Sequence, residues 1–500
     1  MMKRMTRGLA LMLVASPLMI VACGKSDKKD TVDAGPVTTL DGSAVSETGR
    51  ADAVSPADVL PTTSDGGTIA DATLPSDTVL ADASVVTDAP VVDAPLTSDV
   101  AGDAMAADAM VPDTMAPDAM SPDTTVVATC TETTKFTGGA VNADRTLSKA
   151  CSPYTIKSDI DVNGNATLTI EPGVTLRFDP EKNIAIGYNS AAKLMAVGTA
   201  SEQIVFTSSA STPGAGDWAG VQLWSNTMNG STLKYVKFEY CGSNGDACVL
   251  GTGTKPNRVT VDHATFSKVG PGSDAIWQKD KDSNFAINNC TFSDIPSTPT
   301  QQYAISVYAP SFAGIDSTNV FNGGAMVQLM GGTVSADTTW KNINTTVAVT
   351  ADVSVEGTTT PVLTIAAGSI YKFASGIEIS VGYNDPGTLI LAGTAAATIS
   401  FSSLAGVPAA GDWLGIRLWY SATATIKNAK ISYAGSDKGA IEVVSDTDKL
   451  DLQNSEIVSS DSYGIRVPCG SKAKITNANN TFTACASGEE GPGPAGDACN

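Results

Sequence analysis

The feature that most constrains this chain is that it repeats itself. Leu168-Thr169-Ile170 followed by Gly173 returns as Leu363-Thr364-Ile365 followed by Gly368, and Gly187-Tyr188-Asn189 returns as Gly382-Tyr383-Asn384. Gly198-Thr199 returns as Gly393-Thr394, and Gly216-Asp217-Trp218 as Gly411-Asp412-Trp413, every pair 195 residues apart. A finer repeat lies inside each copy. One strand type reads Gly220-Val221-Gln222-Leu223-Trp224 and recurs at 304–308, 326–330, 415–419 and 464–467; a second reads Val261-Asp262-His263-Ala264-Thr265-Phe266 and recurs at 287–292, 426–431 and 452–457. Short alternating apolar runs with Gly turns are strand signals, and no helical period competes with them. A segment that returns to the same pattern about every 20 to 30 residues buries its apolar side only by stacking coil on coil, as in a parallel β-solenoid. In the first strand type Val221 and Leu223 then point inward, and Gln222 and Trp224 outward.

On these residues, over about 355 positions, the sequence resembles the right-handed parallel β-helix repeat proteins of the pectin-lyase-like superfamily. The resemblance implies an all-β, right-handed parallel β-helix of roughly a dozen coils, on the order of 55–60 Å long at about 4.8 Å per coil. The expected organisation is a first copy over 129–335, a second over 336–486 and a Gly/Pro-rich C-terminal tail over 487–500.

The N-terminus has a different character. Lys3, Arg4 and Arg7 precede an apolar run from Leu9 to Ala22, too short to span a bilayer and the length of a signal-peptide core. Ile20-Val21-Ala22-Cys23-Gly24 resembles a bacterial lipobox, which implies a signal peptide over 1–22, lipid on Cys23 and a firm anchor if two or three acyl chains are attached. Gly24, in place of the Asp that retains such lipoproteins at the inner membrane, implies sorting to the outer membrane, with the protein facing periplasm or cell exterior. From Gly24 to Ala128 there is no aromatic residue, and 18 Asp and 1 Glu oppose 3 Lys and 1 Arg. Such a chain cannot bury enough apolar surface to order itself, so residues 23–128 read as a disordered acidic linker. Met105, Met110, Met115 and Met120 recur at a five-residue step there, a low-complexity pattern rather than a copper site.

Apart from Cys23 there are eight cysteines, and an exported chain with an even number is expected to pair them. Sequence separation suggests Cys130 with Cys151, Cys241 with Cys248 and Cys469 with Cys485; Cys290 and Cys499 are left unplaced. No close pair stands beside another pair or a His, so no zinc site is expected. The Asp217 and Asp412 turns lack the further carboxylates that calcium would need. No cofactor is implied.

Enzymes of the resembled superfamily cleave polysaccharides, so catalysis has to be sought in the residues. The superfamily's hydrolase signature pairs aspartates with a Gly-His-Gly segment, whereas the only histidine here, His263, follows Asp262 and shares the position of Asn289, Asn428 and Asn454. That position suits an interior asparagine ladder with a structural His263. The arginines after residue 128, Arg145, Arg177, Arg258, Arg417 and Arg466, sit in no obvious acidic cluster. The expected alternative to a lyase or hydrolase is a non-catalytic surface binding glycan or a partner protein. Its candidate residues are Gln222, Trp224, Trp277, Tyr308, Arg417, Trp419 and Arg466, with Met330 and Glu442 in the same outward columns. Removing the linker's −15 and the signal's +3 from the net −21 leaves the folded part at −9, which argues against a nucleic-acid partner. A monomer is expected.

Overall fold

The computed structural model describes residues 129–492 apart from 133, 254–257, 283, 296–301, 437 and 468–473. The segment expected to be a signal peptide, Cys23, the acidic stretch with its methionines, Cys469 and Cys499 lie outside the described residues.

The described residues form an all-β parallel β-solenoid of about 13 turns. They hold 40 short strands and three 3₁₀ turns. One 14-stranded sheet, the long sheet, receives a strand from every coil, and sheets of six and seven strands cover the other two sides of each copy. Within a strand, burial alternates with the side chains: Ala166, Leu168 and Ile170 are buried, and Thr167 and Thr169 between them are half-exposed. Register then stacks like on like. Ile160, Ile184, Val221, Val249, Ile276, Ile305, Val327 and Val347 form one buried column of the long sheet.

A second interior column is aromatic. Phe206, Phe238, Phe266, Phe292 and Phe321 stack nearly parallel with ring centroids 4.8 to 5.2 Å apart, the spacing of the coils themselves. The Gly-Asp-Trp turns plug into this interior. Trp218 lies 4.2 Å over Phe178, and Trp413 lies 4.0 Å over Phe373. Each indole N–H donates to a backbone carbonyl, Glu239 (2.8 Å) and Ser432 (2.9 Å). Each aspartate closes its own turn: Asp217 Oδ2 accepts from Ser208 Oγ (2.6 Å) and the Gly214 N–H (2.9 Å), and Asp412 Oδ2 accepts from Ser403 Oγ (2.6 Å) and the Ala409 N–H (2.9 Å).

The asparagine ladder is not interior. Asn289 and Asn454 are exposed, Asn428 and His263 half-buried, and all four have φ between 47° and 53°. They sit at corners between strands, where the left-handed backbone favours Asn and His over branched residues. His263 Nδ1 lies 2.8 Å from Asp262 Oδ1, and Asp262 also takes Lys234 Nζ (2.9 Å) and the Asn289 amide (2.9 Å). Burial alone would raise the Asp262 carboxyl, but bonds from Asn289, Lys234 and His263 hold it below the ordinary range. The four residues also occupy two corners rather than one, because the sequence pattern changes sides between the copies.

That change has a simple cause. Along the first copy, strands of the Gly220–Leu223 type lie in the long sheet. The strand Val327–Leu329 is the last of them, and Gly332–Val334, which opens the second copy's own sheet, follows after only two residues. The two intervening strands of a full coil are missing. Gly331 and Gly332, both at positive φ, turn the corner; a Cβ on Gly331 would come within 2.5 Å of the Asp352 carbonyl oxygen. From there the equivalent strands, Glu378–Val381 and Gly415–Leu418, run in a seven-stranded sheet, and the long sheet is continued by Ile370–Phe373 and Ile399–Ser403, which correspond to first-copy strands of another side. The 3₁₀ turn Ala309–Gly314 spans the junction and lays Phe312 within 5.0 Å of Trp340 and 6.2 Å of Tyr371.

Disulfides join Cys130 to Cys151 and Cys241 to Cys248. The first ties the incoming chain to the first coil, the end of a solenoid that most needs closing. Cys290 is buried, and desolvation pushes its thiol up to about 12. Cys485 has no disulfide partner among the described residues. The sheet runs on into the segment read as a tail: Gly488–Pro492 pairs with Tyr463–Val467.

Candidate functional site

Each copy builds the same aromatic corner. Gly187, at φ 73°, ends the strand Asn183–Ile186, and any Cβ there would fall 2.5 Å from the Asn226–Thr227 peptide of the next coil. This close approach lets Thr227 Oγ1 donate to the Ile186 carbonyl (2.9 Å) and the Asn226 amide to the Gly187 carbonyl (3.2 Å). Tyr188 is thereby held beside Trp224, rings 4.6 Å apart and 75° to one another. In the second copy Gly382, at φ 75°, places Tyr383 beside Trp419 at 5.0 Å and 81°, with Tyr420 next to it. Both Trp rings are half-buried, whereas Tyr188 is 56 % exposed, Tyr383 52 % and Tyr420 62 %. Polar groups flank the rings. The Asn163 side-chain oxygen accepts the N–H groups of Asn189 (2.8 Å) and Ser190 (3.1 Å); its counterpart Glu356 accepts the N–H (2.6 Å) and side-chain amide (3.3 Å) of Asn384.

The other outward residues do not form one face. Gln222, Leu250, Trp277, Ser306 and Gln328 lie in register along the long sheet, with Tyr308 and Met330 just beyond the strands Ile305–Val307 and Val327–Leu329. Arg417, Glu442 and Arg466 lie in register along a different sheet. Both arginines are also only 9 % exposed. Arg417 is pinned between Glu378 (3.0 Å) and Glu442 (3.3 Å), so it is not a free arm for a ligand. Burial raises the Glu378 carboxyl, and Arg417 pulls it back.

Trp277 borders a shallow cleft of about 280 Å³ with Asp274, Tyr303, Gln328, Met330 and two glycines. The Cys241–Cys248 disulfide closes the loop that carries one of them, Gly245. Desolvation pushes the Asp274 carboxyl up to about 6, against bonds from Ser306 and the Tyr303 N–H. Ser306 Oγ lies 2.5 Å from Asp274 Oδ2 and 2.8 Å from Gln328 Oε1, and one hydroxyl hydrogen cannot serve both acceptors. Below about pH 6, where Asp274 takes up a proton, the conflict is resolved: the acid donates to Ser306, Ser306 to Gln328, and the Gln328 amide to Thr350 Oγ1 (3.0 Å). Asp274 and Tyr303 carry no local motif, since stacking alone brings them together. Tyr188 and Tyr383 did have a signal, the repeated Gly-Tyr-Asn, whose ring lies on the surface although its glycine is structural.

Residues 139–247 match the family described as a pectate-lyase like beta helix domain, a stretch that includes the Tyr188–Trp224 corner. Over 79 residues, 16 % of this chain, the sequence is 43 % identical to "Protein bark beetle" of Drosophila melanogaster. The chain spans about 2 % of the length of that curated relative. Among solved structures, the Streptococcus pneumoniae surface protein and adhesin PfbA is similar at 14 % identity, covering 70 % of this chain and 88 % of that one, with a TM-score of 0.24.

Proposed function

We propose that this chain is a lipid-anchored envelope or cell-surface protein whose solenoid binds glycan without cleaving it, with the Tyr188–Trp224 and Tyr383–Trp419 corners as the binding platforms. The observation that carries the reading is the survival of the exposed tyrosine. Around it the copies have drifted, Gln222 to Arg417, Ala185 to Ser380 and Asn163 to Glu356, yet both keep an exposed Tyr edge-on to a Trp. The fold needs the glycine of that motif and does not need the ring. Exposed rings flanked by amides and a carboxylate suit a sugar, whose C–H face stacks while its hydroxyls bond to the polar groups. The negative solenoid favours a neutral glycan over a polyuronide. The lipobox at Cys23 and the long acidic linker support display at a membrane surface.

The test is retention on xylan, mannan, chitin and polygalacturonate matrices. Tyr188→Ala with Tyr383→Ala should release the chain from a matrix that holds the wild type, with an unchanged circular-dichroism spectrum. Retention indifferent to both substitutions sinks the reading. A cleaving enzyme has one observation in its favour, the Asp274 carboxyl raised by burial beside Trp277, but no second carboxylate lines that cleft among the described residues, and glycoside cleavage uses two. New reducing ends from any of the four polysaccharides would replace binding with catalysis.

A further inference from the structure

The two corners do not open in the same direction. Tyr188 and Trp224 follow strands of the long sheet, whereas Tyr383 and Trp419 follow strands of the second copy's seven-stranded sheet. Both sheets run through the second copy as separate sides of the same coils. The 3₁₀ turn Ala309–Gly314 packs on strand Asn284–Asn288 of the first copy and on Gly332–Val334 of the second, so the second copy's sheet continues the side next to the long sheet. The direct succession of Val327–Leu329 by Gly332–Val334 therefore carries the whole binding apparatus one side round the axis. Along the axis the corners are seven coils apart, about 34 Å at 4.8 Å per coil.

We propose that the solenoid is bivalent and joins two separate glycan chains, one on each of two sides, rather than lying along a single chain. This rests on the corners being glycan platforms. A polymer running parallel to the axis along one corner does not reach the other. Two sites that cannot both meet one such strand gain nothing from avidity on it, and each is left open for a second. Had the copies kept phase, both corners would stand on one side and would serve a single ligand. The Gly331–Gly332 turn removes that arrangement while leaving each corner intact.

The experiment uses the full chain carrying Cys23→Ser, so that lipid does not gather several copies, with light scattering to establish a single species. Two populations of beads in different colours, coated with mannan, xylan or chitin oligomers, are mixed with it, and bound protein and mixed-colour pairs are measured. The expected result is two sites per chain and abundant mixed pairs. Tyr188→Ala alone or Tyr383→Ala alone should leave one site and lower mixed pairs at least tenfold, and the double variant should bind no beads. Binding at two sites without mixed pairs, or single variants that still join beads, overturns bivalency and leaves the glycan reading standing. Binding to none of the three glycans overturns both. The urea midpoints of the variants check that an exposed ring, not the fold, has been lost.

Discussion

The two copies share a skeleton and differ in what they put on it. In the first, the column is Gln222, Leu250 and Trp277, neutral, with Trp277 at the Asp274 cleft. In the second, the corresponding column is Arg417, Glu442 and Arg466, charged, with Arg417 and Glu442 joined in an ion pair. The interior and the corners did not change in this way. Trp218 and Trp413 make the same stack and the same indole bond, and the Tyr–Trp pairs keep their geometry within half an ångström. The difference separates three kinds of residue: those the fold requires, those free to drift, and an exposed pair kept without a structural need.

The largest effects belong to the required residues. Trp218→Ala and Trp413→Ala should each cost about 3–5 kcal/mol in urea unfolding, since each leaves a large cavity beside a stacked phenylalanine. A marked inequality between them would break the equivalence of the copies. Next comes a group present only in the first copy. The folded Asp274 carboxyl titrates at about 6 against an ordinary 3.8, so the folded state holds its proton more tightly. Its stabilising contribution is complete below about pH 4 and is lost as pH rises through 6, at most about 3 kcal/mol. Asp274→Asn should remove that fall between pH 4 and 7; an unchanged pH profile would show that the carboxyl is ionised and the proton chain wrong. Third, Arg417→Gln should cost about 2 kcal/mol by leaving Glu378 unpaired and Glu442 with only Lys438 at 4.0 Å, a figure reduced from the fully buried case by partial solvation. The matching first-copy change, Gln222→Ala, should stay within about 0.5 kcal/mol. Equal costs would mean that the charged column is not structural. The smallest effect on stability, under about 0.5 kcal/mol, is expected for Tyr188→Ala and Tyr383→Ala, although they carry the largest loss of glycan retention.

Periodicity made the architecture legible, because burying one residue per column at a fixed interval leaves a chain few options other than a solenoid. The inward Val221 and Leu223, the Asp217 and Asp412 turns and the two described disulfides followed from local pattern. What the pattern could not convey was phase. The 195-residue identity says that the copies are alike and not which side of the coil each occupies; that depends on two residues, Gly331 and Gly332. Hence Arg417 and Trp277 read as one surface when they belong to two. The asparagine positions misled for a related reason: a column of like residues suits an interior ladder and a left-handed corner equally, and backbone φ decides between them. The Asp274 cleft depends on neighbours in space that lie 22 to 32 residues apart in sequence.

The change of side can be measured without any ligand. Gln328 stands opposite Ala348 in the long sheet, close enough in adjacent coils for engineered cysteines to bridge. If the copies had kept phase, Gln328 would instead stand opposite Ser354, one full coil further along the same strand type. Gln328→Cys with Ala348→Cys is expected to close a disulfide under mild oxidation, and Gln328→Cys with Ser354→Cys is not, as mapped by non-reducing peptide analysis. Closure of the second pair and not the first would contradict the change of side.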